Sequence, residues 1–139
     1  MSSASQRQLL AIAPRFFVAD IHRSVAYYRD VLGFAVDRIW NDPPSFCMPH
    51  RDGLTIMIGK VDDRDLIRPH GADGETWDAY AWVRDADALF AEFEPKGALV
   101  VHKPVFRPYY GNGEFAIRDP DGYIIGFGQT GARPPGRGS

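Results

Sequence analysis

Two stretches of this sequence are copies of one pattern. Arg15–Val36 reads RFFVADIHRSVAYYRDVLGFAV, and Tyr80–Val101 reads YAWVRDADALFAEFEPKGALVV. Each opens with a short aromatic and β-branched run, passes through an Asp into a helical pattern, and ends at a Gly before a second β-rich run. Ile21, Val25, Tyr28 and Leu32 fall at i, i+4, i+7 and i+11, one face of a helix. Ala86, Leu89, Phe90 and Phe93 form the matching face in the second copy. Asp20 and Asp85 stand where an N-cap oxygen would accept from unpaired helix N–H groups. Gly33 and Gly97 stand where a left-handed residue stops a helix.

The echo continues downstream. Arg51–Lys60 reads RDGLTIMIGK and Pro120–Gln129 reads PDGYIIGFGQ. An Asp-Gly ahead of a β-rich run is a hairpin signal, because Gly accepts the positive φ of the turn. Each half therefore reads strand, helix, then three strands, over about residues 13–60 and 77–129. The polar stretch VDDRDLIRPHGADGE between them reads as a connector. Residues 1–8 and the Gly, Pro and Arg-rich residues 130–139 read as flexible ends around one domain at 9–129. One helix can cover one face of four strands and leaves the other bare. The expected fold is α+β: two tandem βαβββ modules forming a curved mixed sheet, helices outside, with a concave cleft.

Bulk composition narrows the function. Hydrophobic residues are 45% of the 139 and charged residues 24%, enough for a packed core. A net charge of −2 gives no pull toward nucleic acid or an anionic membrane. The apolar run Leu9–Ala13 is too short for a signal peptide core, and no membrane span occurs. The lone Cys47 has no disulfide partner and reads as a buried, inert thiol. Together these give the expectation of a soluble, cytoplasmic protein.

The segments VADIHRSVAYYRDVLGF, WVRDADALFAEF and GEFAIRDPDGYIIGF, in this order and with the duplication, resemble the vicinal oxygen chelate superfamily. That group holds glyoxalase I, extradiol dioxygenases and the fosfomycin and bleomycin resistance proteins. DAYAWVRDADALFAEF and YYGNGEFAIRDP are most similar to the bleomycin resistance type. The resemblance implies paired βαβββ modules and a homodimer. Metal-dependent members carry a His, Glu or Gln at four equivalent strand positions, and the matching residues here are Ala13, Met57, Asp78 and Gly126. Three of these lack a suitable donor for a hard or borderline divalent ion. His22, His50, His70 and His102 fall elsewhere. The expectation is no metal and no cofactor.

Strand alternation sorts the remaining side chains. If Asp78 faces the cleft, Tyr80 and Trp82 do too, while Trp77, Ala79, Ala81 and Val83 face the helix. Arg15 and Phe17 share the parity of Ala13, and Thr55 and Gly59 that of Met57. Gly126 and Gly128 face inward and leave room there for something larger than a metal ion; Tyr123, Ile125 and Phe127 pack outward. The loop RIWNDPPSF adds Trp40, Asp42 and Phe46, and FRPYYGNGEF adds Tyr109 and Tyr110. The similar segments of bleomycin resistance proteins sandwich a flat cationic drug. The candidate ligand-binding set is thus Arg15, Phe17, Trp40, Asp42, Phe46, Asp78, Tyr80, Trp82, Tyr109 and Tyr110. The expected function is metal-free binding of an aromatic or cationic small molecule, antibiotics included, in a homodimer cleft. The alternative is a lyase, isomerase or dioxygenase of the same superfamily, using a metal or acid–base chemistry by Asp78 or a histidine.

Overall fold

The structure, a computed structural model, describes residues 6–71 and 76–132. The first module runs β1 (Arg15–Val18), α1 (Ile21–Ala26), β2 (Ile39–Trp40), β3 (Phe46–Cys47), a small ribbon of β4 (His50–Arg51) and β5 (Leu54–Thr55), then β6 (Met57–Lys60). The second runs β7 (Ala79–Trp82), α2 (Ala86–Phe93), β8 (Leu99–Arg107), β9 (Asn112–Arg118) and β10 (Ile124–Thr130). The β4–β5 turn at Asp52 and Gly53 has positive φ at both residues, as a tight hairpin requires. Most of the expected loose ends, and residues 72–75 of the connector, lie outside the described residues.

Both helices begin as their sequences indicate. Asp20 accepts from the Arg23 N–H at 3.2 Å and Asp85 from the Ala88 N–H at 3.0 Å. Gly97 closes the second helix with φ 99°, and Gly33 follows the first at φ 74°. The first helix departs from plain α geometry. Tyr27–Val31 form a π turn, with the Leu32 N–H donating back to the Tyr27 carbonyl. Both adjacent tyrosines in that turn are buried.

The α+β class and the tandem modules stand. Each module makes a four-stranded mixed sheet, ordered β1-β6-β3-β2 and β7-β10-β9-β8, the same order twice. In both, the first and last strands pair parallel and the others antiparallel. No ladder among the described residues joins the two sheets. A side chain takes the place of a neighbouring strand at the edge of β1. The Tyr123 hydroxyl donates to the Phe17 carbonyl at 2.7 Å and accepts from the Phe17 N–H at 3.1 Å.

One core serves both modules. Phe16, Val18, Cys47 and Ile58 from the first sheet join Phe115, Ile117, Ile125 and Phe127 from the second, with Ile21, Val25, Tyr28 and Phe93 from the helices. Each helix is also held by the other module. Tyr27 Oη donates to the Arg118 carbonyl at 2.7 Å and accepts from the Leu99 N–H at 3.0 Å. Tyr28 Oη donates to Asp119 Oδ2. In return Arg51 grips Glu92 of α2 with two hydrogen bonds, at 2.7 and 3.0 Å, and donates to the Leu32 carbonyl. The helix-bearing faces therefore turn inward to a shared core, and the bare face of each sheet lies on its far side.

Candidate functional site

The bare face of the second sheet is floored by β10. Gly126 and Gly128 give it a flat surface, and two rings lie across them. A Cβ at residue 126 would stand 2.6 Å from Trp77 Cδ1 and 2.8 Å from Tyr80 Cδ2; one at residue 128 would overlap the Tyr80 hydroxyl. The space beside these glycines is thus already filled by the protein's own aromatics, which corrects the expectation of a bare inward side. It also moves Trp77 from the helix side to this face. Trp77 precedes β7, so strand alternation does not extend to it. Trp77, Tyr80 and Trp82 form a row, with successive centroids 4.7 and 5.1 Å apart and rings steeply inclined. Trp77 Nε1 is buried without an acceptor among the described residues, and Trp82 is 70% exposed.

Beneath that row lies a buried carboxylate absent from the expected set. Glu114 is 1% exposed. Its Oε1 accepts from the Tyr80 and Tyr110 hydroxyls at 2.9 and 2.8 Å, and its Oε2 from Arg107 Nε at 3.1 Å. His102 Nε2 stands 3.8 Å away, and Asn112 Nδ2 donates to Tyr80 Oη. Burial and the neighbouring Glu114 carboxylate push the Tyr110 phenol up to about 12. Strand parity contained the signal: Phe115 and Ile117 point to the core, so Glu114 must share the other face with Asn112. A buried charge needs such partners, since an unpaired one is prohibitively costly.

The bare face of the first sheet carries a second aromatic group. The Arg15 guanidinium lies 5.7 Å from the Phe17 centroid and 5.4 Å from that of Phe46. Trp40 meets Phe46 edge-on at 5.4 Å, and Arg38 covers Trp40 at 4.6 Å. Asp42 is exposed in the turn joining β2 and β3. Eight of the ten expected residues therefore fall into two sets. Arg15, Phe17, Trp40, Asp42 and Phe46 belong to the first module, and Tyr80, Trp82 and Tyr110 to the second. No hydrogen bond, ion pair or ring contact among the described residues joins the sets. Tyr109 is fully exposed at the β8–β9 tip. Asp78 is tied to the backbone: Oδ1 accepts from the His70 N–H and Oδ2 from the Ile124 N–H, both at 2.8 Å.

The four positions where metal-dependent relatives place ligands do not suit a metal. Ala13 and Gly126 have no donor, Met57 has only a thioether, and Asp78 is a lone carboxylate, which is not a site by itself. Among the described residues no three His, Cys, Asp or Glu side chains are grouped to hold an ion. Acid–base chemistry finds little support either. His50 pairs with Asp37 at 2.8 Å, His22 is exposed on α1, and burial drives the Cys47 thiol up to about 11. A hollow of about 720 Å³ lies between the β4–β5 turn and α2, bordered by Arg51, Leu54, Leu89, Glu92 and Phe93 and reaching Trp82 at the end of β7. It is open to solvent and lies on the helix side, sharing only Trp82 with the aromatic row, so we place the candidate site on the aromatic faces.

The glycine floor gives a direct test. Gly128→Ala has to displace the Tyr80 hydroxyl from Glu114 and Asn112, and is expected to cost about 1–2 kcal/mol of stability in urea denaturation. A change within about 0.5 kcal/mol, the ordinary range for a harmless substitution, would mean that Tyr80 is not seated there.

A family model described as Glyoxalase/Bleomycin resistance protein/Dioxygenase superfamily matches residues 9–127. No curated protein matches the sequence. Solved structures do match. The bleomycin-binding protein of bleomycin-producing Streptomyces verticillus, complexed with copper(II)-bleomycin, is 24% identical, with a TM-score of 0.68 over 91% of this chain and 99% of that one. TnmS3, an antibiotic binding protein from Streptomyces sp. CB03234, is 20% identical, with a TM-score of 0.62 over 89% and 99%. A glyoxalase-related enzyme from Clostridium phytofermentans is 15% identical, with a TM-score of 0.71 over 89% and 97%. At these identities the likeness is one of fold.

Proposed function

The chain belongs to the Glyoxalase/Bleomycin resistance protein/Dioxygenase superfamily, and from that premise we propose that it binds and sequesters a flat aromatic small molecule without a metal. The observation that carries this reading is the Trp77–Tyr80–Trp82 row, laid over glycines on an uncovered sheet face with Trp82 mostly in solvent. Exposed, ordered aromatic surface is costly to leave wet, and stacking on it favours planar ligands. An antibiotic is one such ligand, in keeping with what two of the structural neighbours are described as binding.

A homodimer belongs to this proposal. The two aromatic faces of one chain lie on opposite sides of its core. A cleft with both as walls needs the first face of one copy and the second of another. Residues 9–129 then act as one domain within each copy. Among the described residues no helix is long and apolar enough to cross a membrane, and the single buried thiol suits the reducing cytoplasm we propose for it.

The test is a thermal-shift screen of flat aromatic antibiotics, bleomycin included, backed by titration of the hits. A ligand at a hundred times its dissociation constant stabilises the folded state by about 2.7 kcal/mol, a readily measured rise in Tm. Trp82→Ala is expected to weaken such binding about tenfold while changing stability by under about 0.5 kcal/mol, because its side chain is largely exposed. Loss of stability without loss of affinity would assign Trp82 to packing instead. Near one equivalent of zinc, nickel, manganese or iron in protein purified without chelators would overturn the metal-free reading.

A further inference from the structure

The charges on the two aromatic faces are unequally committed. Both oxygens of Asp78 are held by backbone N–H groups, and Glu114 is held by Arg107, Tyr80 and Tyr110. Arg15 and Arg38 touch only rings. Arg15 lies between Phe17 and Phe46, and Arg38 over Trp40, with no hydrogen bond or ion pair to either among the described residues. Asp42, the nearby acid of the same loop, is not within ion-pair distance of either. Arg15 also has a place prepared for it. A Cβ at residue 59 would stand 3.1 Å from Arg15 Nη2, so Gly59 leaves the room in which the guanidinium lies over β6.

Among the described residues the Arg15 guanidinium makes no hydrogen bond or ion pair, so its N–H donors are open to a carboxylate or similar oxyanion, which their fork geometry fits. We infer that Arg15 receives an anionic group on the aromatic ligand: the site selects flat aromatic acids, not the flat cations the sequence suggests. This rests on the binding function proposed above. A cation placed on Phe17, Phe46 or Trp40 would meet rings already covered by positive charge, and like-charge contact opposes binding. An aromatic acid would stack on the same surface and pair its oxygens with Arg15, with Arg38 adding long-range attraction.

Three probes of one shape separate charge from stacking: 2-naphthoate, 2-naphthamide and 2-naphthamidinium, titrated by fluorescence against the full chain. Naphthoate is expected to bind about tenfold or more tightly than naphthamidinium, the effect of one charge-assisted hydrogen bond. Arg15→Gln is expected to erase that preference by weakening naphthoate binding far more than naphthamide binding. It should also leave Tm unchanged, because Arg15 is exposed and makes no hydrogen bond. Naphthamidinium binding as tightly as naphthoate, or a preference that survives Arg15→Gln, overturns the inference and leaves the binding function standing. So does an Arg15→Gln variant that loses self-association with its preference intact, since Arg15 would then pair between copies. Failure of all three probes at millimolar concentration removes the binding function and this inference together.

Discussion

Phe93→Ala is expected to lower stability by about 3–5 kcal/mol, the ordinary cost of truncating a fully buried phenylalanine. Phe93 is 1% exposed on the last turn of α2. Its ring meets Phe127 at 5.4 Å and Phe115 at 6.0 Å, and Arg51 of the other module reaches over it at 5.9 Å. The substitution would deepen the hollow between the β4–β5 turn and α2, which Phe93 lines with Arg51 and Phe127, and would forfeit the ring's contacts with Phe115 and Phe127. Urea denaturation followed by far-ultraviolet circular dichroism and tryptophan fluorescence reads the result. Because Phe93 packs in the core shared by both modules, both signals should move to lower urea together, as one transition. Separated transitions would contradict the proposal that residues 9–129 unfold as one domain.

Asp119→Asn is expected to stabilise the protein, and only above a certain pH. Asp119 is 1% exposed, and burial raises its carboxyl to about 6 despite hydrogen bonds from the Tyr123 and Asp121 N–H groups and the Tyr28 hydroxyl. The Asp121 charge close by raises it further, while Arg23 is engaged with Asp121 itself. An unfolded aspartate titrates near 3.9. Between about pH 4 and 6 the folded chain therefore keeps a proton that the unfolded chain has lost. The stabilisation from neutral Asp119 is complete below pH 4 and is lost as the pH rises through 6. About two pKa units correspond to about 3 kcal/mol by pH 8. Asparagine keeps Oδ1 as the acceptor for both N–H groups without the charge, and its Nδ2 donates to the Tyr28 hydroxyl as the protonated acid does. The variant should match the native chain near pH 4 and exceed it by about 3 kcal/mol at pH 8. Reading the difference between the two proteins cancels the other carboxylates, several of which shift in the opposite direction. A difference that stays constant from pH 4 to 8 would show that Asp119 is ionised in the fold throughout.

What the sequence disclosed follows from periodicity. Asp20 and Asp85 cap their helices, and Phe16, Val18, Ile125 and Phe127 reach the core, because caps and alternation are local and repeat at fixed intervals. The π turn at Tyr27–Val31, the Tyr123 hydroxyl on the edge of β1, and the shift of Trp77 arise from contacts between residues far apart in sequence. No period announces them. Glu114 was legible by parity, yet a glutamate in a strand reads as solvent-facing until Tyr80, Tyr110 and Arg107 are seen to close over it. Alternation says which side of a sheet a residue takes. It does not say which sheets face each other, and so residues that look like one cluster in sequence form two in space, with Tyr109 and Asp78 apart from both.

For the binding function proposed, the mutual grip of helices and hairpins would have a kinetic consequence. Arg51 ties the β4–β5 ribbon to α2, and Tyr27 and Tyr28 tie α1 to the strand ends of the second module. Among the described residues these latches tie each half to the other, so the proposed binding would not need the halves to close over a ligand as a jaw does. Entry and exit then depend on a surface that is already shaped before the ligand arrives. Such a surface gives up little ordering entropy on binding, which favours fast association and leaves the off-rate to set affinity.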